Sequence, residues 1–519
     1  MLIDERGKLK TFVPAPKSDE SHQLLIWCAM LYLYLPVLVF SCYWILPIVS
    51  IPLNSLGLCS FYLLFKNREK VSTKNSWSSV LKVLPVISIS LIWVSTSGIW
   101  GLGFGRSGDW RMAREDYLSS LYSLTWPITH QFYDEGPLYL FRHYLAFYIP
   151  GPFLAKTLGF GLDQVLLLTG VWILVGVVIV LMLVNNFVSA SRPFKWIPIL
   201  VFIMFSGLDI LGSRIEGNVG LRPQSFLHAG HIEWWARQFQ FSSATTLLHW
   251  VPQHAIAGWM GALIILNLRS SKSFIRITPI LLSISLLWSP FVTAGIAMVA
   301  IVTWLPFANG TVRSINRADA IYLIFSLSSG YLMASYILSG SGQLSRSWLF
   351  QSKSYAMSGF EVKNGAVDTA LNLIFFLALE IGPFMLLIFY LNRSRRQLIV
   401  GTSIGLIICT QIVMSHDSLF TMRASIPLLA VLAVLTAETL VRQLESHRIS
   451  IRSILIIVVI LIGSLTPIIE IVARIDSRDL SNRSLQQPCV ITGCGSDMTN
   501  PDKLFFDWTD ETPWFIRQP

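Results

Sequence analysis

Asp109, Ala113 and Asp116 stand at i, i+4 and i+7 in the stretch FGRSGDWRMAREDYL, a spacing that sets two carboxylates on one face if Asp109 opens a helix. A carboxylate at a membrane surface can take the proton of an acceptor hydroxyl, and nearby Arg114 or Arg111 can hold an anionic group such as a lipid phosphate. Asp109 is the better candidate for the base. The same spacing also suits Asp109 as a simple helix cap, with Glu115, Asp116 and the arginines forming a solvated face.

A second polar stretch, RIEGNVGLRPQSFLHAGHIEWWARQFQFSSATTLLHWVPQHAIAGW, is rich in His, Trp and Arg. Arg222, His228, His231, Glu233, Arg237 and His254 are its candidate binding residues, and Trp234, Trp235, Trp250 and Trp259 can offer aromatic faces to a sugar. An aromatic belt at the membrane interface accounts for the same tryptophans, and a helical Glu233–Arg237 pair for those two charges. His228, His231 and Glu233 have a loosely metal-like spacing. With no HExxH or Asp-x-Asp motif beside them, no residue is assigned to a divalent metal.

The third cluster is SHDSLFTMRASIP, where Arg423 can bind a phosphate or pair with Asp417. Glu380, in FFLALEIGPF, lies within an apolar run and must be protonated, partnered or turned towards a polar cavity.

The elements that must position these groups are membrane spans. Of 519 residues, 53% are hydrophobic and 13% charged, with mean hydropathy +0.59, outside the range of a soluble domain. The formal charge of +10 is spread in short blocks between apolar runs, which argues against a nucleic-acid partner. The runs predict an all-α polytopic protein of about thirteen transmembrane helices: 24–45, 47–66, 80–103, 163–187, 195–213, 254–269, 275–289, 290–307, 319–340, 369–391, 397–414, 423–441 and 453–474.

Segments 66–82, 188–196, 268–276, 308–318, 392–397 and 442–452 hold about eighteen Lys and Arg against Glu69 and Glu445, and are expected to be cytoplasmic. They share a side if the N-terminus is inside and 138–158, interrupted by Pro-Gly-Pro, is an external amphipathic surface helix pair. The expected organisation is then a cytoplasmic segment 1–23 without a cleavable signal, a transmembrane domain 24–474, and an extracytoplasmic tail 475–519. External loops are expected at 104–162, 214–253 and 340–368, and chemistry is expected on their side. Cys28, Cys42, Cys59 and Cys409 sit in apolar spans, whereas Cys489 and Cys494 in the tail can be a short disulfide or two free thiols.

Several of these segments together resemble the GT-C superfamily of polyprenyl-phosphate-sugar-dependent glycosyltransferases. They are GRSGDW ending at Asp109 and Trp110, the Trp126-Pro127 pair, HYLAFYIPGPFLAK and WVPQH. The resemblance is closest to uncharacterised bacterial members and covers about 104–258. It implies that Asp109 is the base activating the acceptor. The chain lacks the Asp-Glu pair followed by His of better known members, and three spans rather than one precede the loop.

By this resemblance the expected activity is inverting transfer of a sugar from a polyprenyl-phosphate carrier to an envelope glycan or lipid-linked acceptor, on the outer side of a bacterial plasma membrane. The carrier-linked sugar is a substrate, no cofactor is assigned, and the lipid bilayer is the one partner the composition requires. A lipid-linked glycan flippase needs a polar path through the spans, and a noncatalytic member of an envelope-assembly complex needs neither site nor path.

Overall fold

Apolar runs separated by short basic turns fold as the helices their length allows. The computed structural model describes residues 20–66, 76–107, 114–131, 138–216, 232–236, 238–268, 271–304, 317–338, 346–349, 355–357, 360–362, 366–414, 419–446, 451–476, 505–507 and 512–517. Helices α1 (Glu20–Trp44) and α2 (Pro47–Lys66) form a hairpin, and α3 (Ser76–Ser95) follows. Helix α2 leaves Ile48, Ile51, Leu58 and Tyr62 exposed, a surface suited to lipid rather than water.

After α3 come α4 (Glu115–Ser123), strands β1 (Thr129–Gln131) and β2 (Leu138–Phe141), and α5 (Pro150–Leu158). The expected surface helix pair over 138–158 is therefore a strand, turns and one helix. Pro150 and Pro152 open α5 rather than break it, because the first turn of a helix has no need of their missing N–H groups.

The long helix α6 (Asp163–Val188) matches its expected span closely. The expected span 195–213 is instead two short helices, α7 (Ile197–Ile203) and α8 (Asp209–Ile215). The break contains Gly207, where a Cβ would overlap the Glu380 carboxyl, so the chain yields its helix to admit that side chain.

Helices α9 (Ala244–Trp250), α10 (Pro252–Asn267), α11 (Ser271–Ser285), α12 (Pro290–Trp304) and α13 (Arg317–Leu338) follow. The expected span 369–391 bends by 50° between α14 (Ala366–Glu380) and α15 (Gly382–Leu391), where Gly-Pro follows Glu380 and Ile381. Helix α16 (Arg396–Thr410) leads to α17 (Leu419–Glu445), the central helix, whose middle is buried along its whole length. Close approach to α12 is possible because Gly295 leaves room where a Cβ would overlap the Ala424 carbonyl. Helices α18 (Ile451–Gly463) and α19 (Leu465–Asp476) close the bundle.

Among the described residues, six helical stretches are long and apolar enough to cross a bilayer, seven if the bent α14–α15 pair counts as one span, so the chain is a mostly helical membrane protein. The other expected spans appear as shorter helices, because Pro, Gly and buried polar groups interrupt runs that hydropathy alone reads as continuous.

Hydrogen bonds gather the long connections at one end. Strand β2 pairs antiparallel with β1 and with Phe505–Asp507 of the tail, in the register Tyr139 to Asp507. The tail then reaches the α1–α2 turn, where Arg517 N–H donates to the Trp44 carbonyl at 2.8 Å. Arg346–Trp348 pairs with Ile412–Met414, and Asn372 Nδ2 donates to the Ala236 carbonyl at 3.2 Å.

At the opposite end, the Ser191 N–H donates to Glu445 at 2.8 Å, and His22 bonds the Asn267 carbonyl at 2.8 Å. Glu438 there takes both Arg395 (3.1 Å) and Arg442 (2.7 Å). The described residues of the basic turns 188–196, 268–276, 392–397 and 442–452 thus share an end.

Candidate functional site

Three segments far apart in sequence meet at the end that holds the long connections. Arg114, directly before α4, donates from Nε to Gln253 Oε1 at 3.2 Å and is 5% exposed. Gln253 and His254 occupy the first turn of α10 behind Pro252, whose ring suits that position. Arg423, in the second turn of α17, donates from Nη1 to the Tyr144 hydroxyl at 3.3 Å, with its guanidinium 5.6 Å from the Phe291 ring centroid.

Aromatic rings bind these parts into one cluster. The Tyr144 ring lies 5.0 Å from that of His254 and 3.8 Å from that of His143. Tyr117, on α4, lies 5.0 Å from His143 and 5.3 Å from Tyr148. His143 is half-buried to solvent yet enclosed by these rings; burial, together with the Arg423 and Arg114 charges, pushes its imidazole down to about 3, so it is neutral at physiological pH. Burial also raises the Tyr117 and Tyr148 hydroxyls.

Unsatisfied polar atoms mark this cluster as a place for a ligand. His254 is fully buried, and neither ring nitrogen has a hydrogen-bond partner among the described residues. Arg423 Nε is likewise buried without an acceptor. Leaving such a group unpaired costs about 1–3 kcal/mol each, a cost that an oxygen-rich ligand would remove.

The stretch carrying Asp109 is tethered on both sides. Arg106 and Glu115 form an ion pair at 2.6 Å across it, and the Gly105 N–H donates to the Arg474 carbonyl at 2.7 Å. Glu470, one turn earlier in α19, accepts from Trp250 Nε1 at 2.7 Å. Asp109 itself lies outside the described residues, but it is five positions from Arg114, a reach of at most roughly 18 Å. Asp116 is half-buried in the first turn of α4, next to Tyr117, and its carbonyl accepts from Ser119 Oγ at 3.1 Å.

Glu233 belongs to a second group, made with Asp209 and Glu380. Its carboxyl accepts from the Ser243 N–H at 2.9 Å and from Gln240 Nε2 at 3.4 Å. Asp209 Oδ2 takes Ser206 at 2.7 Å and Thr466 at 3.0 Å, and Glu380 Oε1 takes Trp235 Nε1 at 2.9 Å. The Asp209 and Glu380 carboxyls are also within hydrogen-bonding reach of each other, which requires a proton on one of them. Glu380 is therefore partnered rather than open to a channel. Burial, reinforced by the Asp209 charge, pushes the Glu233 carboxyl up to about 8.

Among the sequence-derived candidates, Arg114, His254 and Arg423 are brought together, with Asp116 beside them and Glu233 elsewhere. Arg222, His228, His231, Arg237 and Asp417 lie outside the described residues, as do Cys489 and Cys494. Two of the four proposed sugar-binding tryptophans are core residues. Trp259 stacks on Trp93 at 5.6 Å, and Trp235 is 2% exposed against Phe375. Trp250 is taken by Glu470, whereas Trp234 is exposed.

Tyr117, His143, Tyr144, Tyr148 and Gln253 join the site without having been candidates for it. The signal for His143, Tyr144 and Tyr148 was the density of Tyr and His in HYLAFY, which reads equally as an interfacial surface. Among the described residues, no group of three or more His, Cys, Asp or Glu is arranged to hold a metal. No protein-family model, no curated protein and no solved structure matches the chain.

Proposed function

We propose that this protein is an inverting membrane glycosyltransferase. It takes a sugar from a polyprenyl-phosphate carrier and passes it to an extracytoplasmic envelope glycan or lipid-linked acceptor at a bacterial plasma membrane. The observation that carries the reading is the convergence of Arg114 and Arg423 on a buried cluster where His254 and Arg423 Nε have no partner. In this reading the bundle is of GT-C type, with the shorter apolar helices completing about thirteen spans.

Asp109 accepts the proton of the acceptor hydroxyl as that oxygen attacks the anomeric carbon, and the bond from that carbon to the carrier phosphate breaks. The phosphate leaves on its lipid with one more negative charge. Arg114 and Arg423 stabilise that charge, and a site largely closed to water increases their effect. Asp116 orients the acceptor or an arginine.

The test is sugar transfer from a labelled polyprenyl-phosphate donor in reconstituted membranes. Asp109→Asn keeps its shape but cannot accept the proton, so turnover falls by about 10² to 10⁴-fold while donor binding and thermal stability hold. Asp116→Asn loses less. Near-normal turnover in Asp109→Asn removes that residue as the base.

One observation favours a second reading, a lipid-linked glycan flippase. Asp209, Glu233 and Glu380 are buried carboxyls with neutral hydrogen-bond partners, a composition found in proton-coupled transporters. No transfer by the wild type across donors and acceptors, with carrier translocation intact, puts this reading first.

A further inference from the structure

The end of the bundle remote from Arg114 and Arg423 carries a separate cleft. Arg423 and Arg442 lie on the same helix, α17, nineteen residues and so roughly 28 Å apart along its axis. Beside Arg442, between the end of α15, the end of α17 and the start of α18, is an open cleft of about 810 Å³. Arg393, Arg442, Arg452, Tyr390, Ser394 and Ser446 contribute to its walls.

Its charge is unbalanced. Glu438, behind the wall, is shared by Arg395 and Arg442, so one carboxylate serves two guanidiniums. Arg442 is also fixed by Ser394 Oγ at 2.9 Å, which holds its position. Arg452 has only a neutral partner, the Tyr390 hydroxyl at 3.2 Å, with its guanidinium 4.4 Å from that ring's centroid. Arg393 is exposed and makes no hydrogen bond or ion pair among the described residues. The hydroxyls of Ser394 and Ser446 already donate to Asn392 Oδ1 and the Gln443 carbonyl, so the three arginines around the opening are the donors that suit a phosphate group, which offers several acceptor oxygens to forked guanidiniums.

The apolar surface below the cleft identifies the source of that phosphate. Ile451 on its rim is 75% exposed, and Ile454 and Leu455 on α18 and Leu386 on α15 continue an exposed apolar surface away from the arginines. A phosphate in the cleft would have its acyl chains on that surface, with Tyr390 at the level where amphipathic rings mark the membrane interface. A free phosphate would use the arginines and leave the apolar surface without a role.

We infer that this cleft binds the phosphate of an anionic phospholipid headgroup, with the acyl chains lying along α15 and α18. The site is independent of the transfer reading, because it shares no residue with the opposite end.

The test uses the full-length protein in nanodiscs of phosphatidylcholine with or without phosphatidylglycerol, read by native mass spectrometry and thermal unfolding. Wild type retains phosphatidylglycerol over phosphatidylcholine and unfolds at a higher temperature when it is present. Arg393→Gln/Arg452→Gln lowers that preference about tenfold and removes the stabilisation. Arg442 is left in place because it holds Glu438. The single variant Arg393→Gln, at an exposed side chain without bonds, keeps the wild-type fold and lowers the preference about threefold, which covers any folding defect of the double variant. An unchanged preference in Arg393→Gln and the double variant overturns the inference. So does stabilisation by inorganic phosphate alone with no further gain from phosphatidylglycerol, which would make the cleft a free-phosphate site.

Discussion

Arg423 donates to the hydroxyl of Tyr144 across 279 positions of sequence, at 3.3 Å. That bond joins the central helix α17 to the turn after β2 and sets a guanidinium beside Tyr144, whose ring lies 5.0 Å from that of the unpartnered His254. Its Nε has no acceptor, so the charge is poised for a ligand rather than spent within the protein. Arg423→Ala is expected to weaken polyprenyl-phosphate binding by roughly 10- to 100-fold, the range for a lost charge-assisted hydrogen bond, with a smaller effect on turnover at saturation. Tyr144→Phe keeps the ring against His254 but frees the guanidinium, and is expected to cost less. Equilibrium binding of a labelled carrier to both variants checks this; equal affinity for Arg423→Ala and wild type would refute the role.

Gln253 is 2% exposed and accepts from buried Arg114, so its loss acts on stability as well as on the site. Gln253→Leu deprives the Arg114 Nε–H of its acceptor at a cost of about 1–3 kcal/mol. Gln253→Glu retains an acceptor and is expected to recover most of that loss. The measurement is thermal unfolding in one detergent for all three proteins. Identical transitions would mean that the Arg114 contact contributes nothing.

Legibility in the sequence followed the reach of each signal. Helix α6 was readable almost to its ends because 26 residues with no interior charge have only one stable form in a bilayer. The one-sided basic turns were readable because charge at span ends is a local property, and their shared end follows from bonds such as Ser191 to Glu445. The break before Asp209 was not readable, since it depends on Glu380 packing against Gly207 from 173 positions away. Arg114, His254 and Arg423 could each be picked out by residue type, but their meeting depends on contacts between segments more than 130 residues apart. Tyr144 was hidden for the converse reason: a tyrosine near an interface is too common to single out.

Orientation can be tested where the tail docks. Leu46 N–H donates to the Phe515 carbonyl at 2.8 Å, so the tail's end and the α1–α2 turn lie on one side. Trp514 is 71% exposed beside that contact, whereas Ser394 is exposed at the basic end. With the basic turns cytoplasmic, Trp514→Cys reacts with a membrane-impermeant thiol reagent added outside and Ser394→Cys does not until the membrane is opened. These labels are read in a background with all six native cysteines replaced, including Cys489 and Cys494 of the tail. The reverse pattern moves the Arg114 cluster to the cytoplasmic side and overturns the proposed acceptor.

The buried Glu233 makes stability depend on pH in a direction opposite to that of a salt-bridged carboxylate. Its folded-state value of about 8 lies above the ordinary value of 4.5 because burial, then the Asp209 charge, disfavours its ionised form. Between those values the folded protein holds a proton that the unfolded chain has released, so the folded state is favoured fully below about pH 4.5 and progressively less up to about 8. The contribution of Glu233 to the wild-type unfolding temperature should therefore fall as pH rises from 5 to 8. Glu233→Gln keeps the acceptor for the Ser243 N–H and carries no titrating proton, so its profile over the same range should lack that fall. His143 acts in the other sense, since its value of about 3 makes the folded state gain stability as pH rises towards 6.5. Both proteins carry His143, so its contribution cancels in the difference between the two profiles, which is read between pH 6.5 and 8, where Glu233 still titrates in the folded state. Parallel profiles for wild type and Glu233→Gln in that window would show that Glu233 is already ionised in the folded protein.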